Sequence, residues 1–181
     1  MEAHYSPKVP LSTRNQSSLR QFSTPPGRDT DLRREFTLPG TLFAAPSAIE
    51  PVADPARATV EQALGDGYDA NRAGDAARIA AAFAAAERAE VLAFFADPEM
   101  LDRNTDFYRD LTGYRLDGTI DYAGLTLAIV AYDIPDHGLG RMVVPLVQEG
   151  GGYYATNRLS ADDRFGDILA AIRNGRFAAA R

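Results

Sequence analysis

Apolar side chains in the middle of the chain recur at helical spacing. Val60, Leu64 and Tyr68 stand four residues apart, and Ile79, Phe83, Val91, Leu92 and Phe95 mark a second apolar stripe in an alanine-rich segment. One apolar face per 3.6-residue period predicts amphipathic helices from Ala56 onward. Gly74-Asp75 divides them, since glycine suits a helix end and an aspartate carboxylate accepts from the free amides of the next first turn. A third helix has fuller punctuation: Asp97 as cap, Pro98 at the first helical position, Glu99 in the first turn, then Met100, Leu101, Tyr108 and Leu111 before Gly113. Ala86 to Leu111 therefore reads as helix with one break.

After Gly113 the period shortens to two. Tyr114, Leu116, Ile120 and Tyr122 alternate with polar residues, which predicts a strand with one buried face. Leu125 to Tyr132 is apolar on both faces and reads as a central strand. Met142 to Val147 and Tyr153 to Leu159 complete four strands joined by short turns, the last of them Glu149-Gly150-Gly151-Gly152. Pro145 has no amide to donate and predicts an edge or bulge position. Ser160, with Asp163 three residues on, resembles a capping box for a last helix whose face is Phe165, Ile168, Leu169 and Ile172, closed by Gly175. The predicted class is α+β: helices on one face of a curved four-stranded antiparallel sheet, with an extended N-terminal arm and a C-terminal helix.

The arm is residues 1–55, and the globular α+β domain is 56–181. Eight of the 11 prolines fall before Ala56, beside a Ser/Thr-rich stretch with no helical or strand period. Such a segment cannot bury itself against its own surface. Its spaced apolar residues Leu19, Phe22, Phe36, Leu38, Leu42 and Phe43 read as anchors for a protein partner or a second copy. A flexible tether is the competing reading.

Charge sharpens this division. Residues 1–55 carry six positive and six negative groups, so the net charge of -6 (19 basic against 25 acidic) belongs wholly to the remainder. An acidic domain lacks the clustered positive charge that nucleic acid or an anionic membrane surface requires, so no nucleic-acid partner is expected. No apolar run is long enough to span a bilayer, and direct membrane insertion is not expected. With no cysteine, disulfides, thiolate zinc sites and a cysteine nucleophile drop out. The start of the chain has no apolar signal region, and the expectation is a cytoplasmic protein.

The run Tyr68-Asp69-Ala70-Asn71-Arg72-Ala73-Gly74-Asp75, leading into Ile79 and Phe83, resembles the helix–helix phrase of the nuclear transport factor 2-like (SnoaL-like) superfamily. The Gly-rich turn before Tyr153-Tyr154 is similar to that superfamily's closing hairpin. The resemblance spans about residues 57–160. It implies a conical α+β fold with a pocket wrapped by the sheet, and in the enzymes an Asp or His inside the cone that does acid/base work. The chain departs from the pattern where helix replaces a hairpin after the second helix, and again in the added helix from Ala161.

The remaining chemistry is sparse. Asp133-Ile134-Pro135-Asp136-His137 brings an imidazole near two carboxylates, a trio that orients a general base or ligates a metal, although a reverse turn favours the same residues. Asp121, Tyr122, Tyr132 and Tyr154 are candidates to converge on one sheet face and polarise a carbonyl; packed sheet tyrosines are the plainer reading. The weak catalytic candidates are thus Asp121, Tyr132 and His137, with no metal and no cofactor expected. Two functions follow. The leading one is a non-catalytic accessory module that docks through its arm, as a subunit of a larger assembly. The alternative is a SnoaL-like small-molecule binder or acid/base enzyme with a pocket in the cone.

Overall fold

The computed structural model describes residues 36–135, 137–174 and 177–180. In chain order the elements are β1 (Phe36–Ala48), α1 (Val60–Ala73), α2 (Ala76–Ala81), α3 (Arg88–Phe94) and α4 (Pro98–Asp110), followed by β2 (Thr112–Tyr122), β3 (Leu125–Ile134), β4 (Gly138–Glu149), β5 (Gly152–Ala155), α5 (Asp163–Arg173) and β6 (Phe177–Ala180). Among the described residues no helix is long and apolar enough to cross a membrane.

The helices begin where side chains satisfy first-turn amides. Thr59 opens α1 with a reciprocal box: its hydroxyl accepts from the Gln62 amide at 3.2 Å, and the Gln62 side chain accepts from the Thr59 amide at 3.0 Å. Gly74 closes α1 in the left-handed region at φ 66°, and Asp75 at once caps α2. Asp97 with Pro98 starts α4 as its punctuation predicts. For α5 the cap is Asp162 rather than Ser160, its carboxylate accepting from the Phe165 amide at 3.1 Å. The helix α3 has no side-chain cap, because the Glu87 carboxylate is turned to the Thr156 hydroxyl and the Asn157 amide instead.

The sheet has six strands, not four, in the order β5-β4-β3-β2-β1-β6. The first comes from the segment expected to be arm: β1 pairs antiparallel with β2 and parallel with β6. A strand in that position needs no internal apolar period, since backbone pairing with neighbours at the sheet edge holds it. The strand β3 is central, as predicted, between β2 and β4. The strand β5 pairs only with Leu146–Glu149, so β4 is a free edge over its first part, and Pro145 sits where that edge ends.

The helices cover both faces, which corrects the one-face expectation. On one side α1 and α4 pack Leu64, Tyr68, Phe107 and Tyr108 against Tyr114, Leu116, Val130, Met142 and Leu146. On the other, α5 packs Phe165, Ile168 and Ile172 against Ile120, Leu127, Ile129 and Val143. The two sides divide along β2. Leu116 pairs with Val130 and Gly118 with Ile129, so Asp117 is an extra residue, and the bulge turns Ile120 to the face opposite Leu116.

A buried ion pair ties the entry loop to this frame. Asp66 on α1 takes the Arg57 guanidinium at 2.6 Å, with the two side chains 4% and 8% exposed, and also accepts from the Asp54 amide. The Arg57 carbonyl in turn accepts from the Tyr153 amide at 2.8 Å, which joins the loop to β5. Removing one partner leaves a buried charge unmatched. Asp66→Ala is expected to lower the unfolding free energy by about 3–5 kcal/mol, read by urea denaturation.

A second tie joins α5 to the sheet. The Tyr122 hydroxyl donates to Asp162 at 2.9 Å. That bond, with the Phe165 amide, holds the Asp162 carboxyl below its usual range. A carboxylate whose folded pKa is depressed contributes stability above its unfolded value and loses it as pH falls through the folded value. Asp162→Asn retains a cap but not the charge, so its stability is expected to fall less steeply than wild type below the ordinary aspartate range, in denaturant melts at stepped acid pH.

Candidate functional site

The helical layer does not close fully on the sheet. A cavity of about 240 Å³ remains between α1, α3 and α4 on one side and β4 with the end of β5 on the other. Its wall is mainly apolar, from residues such as Leu64, Ile79, Val91, Phe94, Met142 and Leu146. The small residues Ala63, Gly67 and Ala82 also line it, and a methyl built on Gly67 meets nothing within 4 Å. The space exists because α1 presents short side chains where a filled core would need long ones.

Polar groups enter this wall from α1, α4 and β2. Tyr68 stacks on Tyr114 with ring centroids 4.4 Å apart, and Tyr108 lies 6.2 Å from Tyr68. The Tyr68 hydroxyl is used, donating to the Leu111 carbonyl at 3.1 Å. The Tyr108 and Tyr114 hydroxyls have no hydrogen-bond partner among the described residues, although Tyr114 is only 6% exposed. Burial, with the neighbouring phenols Tyr132 and Tyr68, pushes Tyr108 up to about 12. Burial pushes Tyr114 well above the usual phenol range as well. Both stay neutral at physiological pH and act as hydrogen-bond donors and acceptors, not as bases.

Asn71 and Asn104 form an amide pair in the same wall. The Asn71 Nδ2 donates to the Gly67 carbonyl at 2.6 Å, and Asn104 Nδ2 donates to Asn71 Oδ1 at 2.7 Å. The only charged group in the lining is Glu90, which is exposed at the rim on α3. Behind the cavity, Tyr154 is held between two guanidiniums, Arg57 at 5.2 Å and Arg88 at 5.4 Å.

The residues singled out in the sequence lie elsewhere. Asp121 is exposed on β2, opposite Thr126. Tyr132 is buried at the far end of β3, six residues on, or about 20 Å along a strand. Its ring lies edge-on to Phe107 and close over Gly140, leaving no room for a side chain there. His137 is exposed in the β3–β4 turn, its amide donating to Ile134, while Asp133 pairs with Arg115 at 3.3 Å. Asp136 lies outside the described residues. None of Asp121, Tyr132 and His137 lines the cavity. Among the described residues no group of three His, Asp or Glu is arranged to hold a metal.

Of the six arm anchors, Leu19 and Phe22 lie outside the described residues. Phe36, Leu38 and Leu42 have their backbone in β1, paired with Phe177, Ala179 and Gly118. Phe43 packs against the chain's own core. The cavity residues missed in the sequence are Asn104 and the free hydroxyls of Tyr108 and Tyr114. A local signal exists for one pair, since Asn104 and Tyr108 stand four apart on one helix face.

Comparison with family models, with curated proteins and with solved structures gives no match to this chain. Tyr68→Phe is expected to cost about 1 kcal/mol, since it strands the Leu111 carbonyl. Tyr114→Phe removes a hydroxyl that has no partner among the described residues and is expected to leave stability unchanged or raised. Paired thermal melts of the two variants check the difference.

Proposed function

We propose that the protein binds a small molecule in the cavity between its helical layer and its sheet, as the nuclear transport factor 2-like resemblance implies. The observation that carries the reading is a mainly apolar space of about 240 Å³ with Tyr114 in its wall, a buried residue whose hydroxyl has no hydrogen-bond partner among the described residues. A hydroxyl without a protein partner adds nothing to packing that phenylalanine would not supply, so it points to a partner from outside the fold. A dry cavity of about 150 Å³ takes up benzene, so this one has room for a ligand of about ten non-hydrogen atoms.

The chemistry of the wall favours binding over acid/base catalysis. Its titratable groups are tyrosines, two of them held neutral by burial, together with Glu90 at the exposed rim. Docking through the arm has less support, because four of its six anchors lie on β1 in the chain's own sheet.

Gly67 provides the test. A side chain there projects from α1 into open space, so Gly67→Phe is expected to fill the cavity, and Gly67→Ala to stabilise α1 by about 0.5–1 kcal/mol. Saturation-transfer NMR with indole is expected to give a signal for wild type and the Ala variant and none for the Phe variant. An indole signal that persists in Gly67→Phe overturns the cavity as the binding site.

A further inference from the structure

The polar groups of the cavity specify more than an apolar guest. The Gly67 carbonyl can only accept, so Asn71 must turn its Nδ2 toward it, which leaves Asn71 Oδ1 as an acceptor. Asn104 must then present its own Nδ2 to Asn71. The network thereby fixes both amide orientations. What is left over on Asn104 is its Oδ1 and its second N–H, neither with a partner among the described residues. One acceptor and one donor thus remain on a single planar amide. One helical turn on, Tyr108 adds a free hydroxyl from the same face of α4.

We propose that this site recognises a neutral carboxamide or lactam carried on a small apolar or aromatic body. The ligand N–H donates to Asn104 Oδ1, its carbonyl accepts from Asn104 Nδ2, and the second lone pair of that carbonyl faces a tyrosine hydroxyl. The inference rests on the cavity being a binding site. Charge selects in the same direction. The lining contains no cation to pair with a carboxylate, its only charged residue is the acidic Glu90, and burial already disfavours negative charge on the neighbouring phenols. A cationic amidine has the donors but no carbonyl, so it leaves the second Asn104 N–H and the tyrosine hydroxyls without an acceptor.

Four ligands of equal size separate these requirements: benzamide, benzoate, benzamidine and acetophenone, titrated against the full chain by calorimetry or chemical-shift perturbation. Benzamide is expected to bind about tenfold more tightly than acetophenone, which lacks the N–H, and benzoate and benzamidine more weakly still. Asn104→Leu is expected to bring benzamide down to the level of acetophenone. Because the series is read on the wild-type chain, the test survives if that variant fails to fold. Binding of benzoate, benzamidine or acetophenone at or above the level of benzamide overturns the carboxamide assignment and leaves the cavity reading standing. No binding by any of the four while indole still binds overturns the carboxamide assignment alone, no binding by any of the five overturns both readings, and binding that persists in Gly67→Phe overturns the cavity as its site.

Discussion

The architecture turns on one extra residue in β2. Side chains alternate across a strand, so a strand of unbroken register presents Leu116 and Ile120 to the same side. With Asp117 inserted as a bulge, Leu116 faces α1 and α4 while Ile120 faces α5. One sheet thereby supports two apolar cores, each covering part of its length. The charges follow the same division: Asp117 meets Arg141 at 3.3 Å, and Arg115 pairs with Asp133, on backbone that neither core occupies. Tyr114 lies on the helix side of the bulge, and its ring reaches the cavity wall for that reason.

The cavity is a consequence of how the helical layer is held off the sheet. The Arg57–Asp66 pair ties the middle of α1 to the entry loop, which bonds to β5 through the Arg57 carbonyl, and Glu87 fixes the start of α3 to Thr156 and Asn157. Between them the wall is lined by Ala63, Gly67 and Ala82, too small to fill the gap. Polar groups that would destabilise a close-packed interior are tolerated at such a gap, where a solvent molecule or a ligand completes their hydrogen bonds. The free amide edge of Asn104 and the hydroxyls of Tyr108 and Tyr114 form such a set.

Local signals in the sequence translated into structure where the physics is local. Gly74-Asp75 and Asp97-Pro98 mark helix boundaries because a cap needs only its own first turn. The apolar run 125–132 marks a central strand because it must be covered on both faces. The start of α5 was ambiguous, since Ser160 and Asp162 are both competent caps and packing of Phe165 and Ile168 on the sheet decides between them. The strand β1 was invisible for a different reason: its hydrogen bonds go to β2 and β6, each more than sixty residues away.

The chain order thus carries the helix boundaries at Gly74-Asp75 and Asp97-Pro98, the α+β class, the central strand and the absence of thiol chemistry, since each depends on residue type and near-neighbour spacing. Which side of the sheet each β2 residue serves, and which polar groups share a cavity, is set by contacts between distant segments. Asp121, Tyr132 and His137 are close enough in sequence to suggest a site, yet the strands carry Asp121 away from the other two. Asn71, Asn104, Tyr108 and Tyr114 are dispersed over three elements and meet because α1 and α4 pack on the same face of β2. A strand extends its residues along a line, whereas packed elements gather theirs around a point.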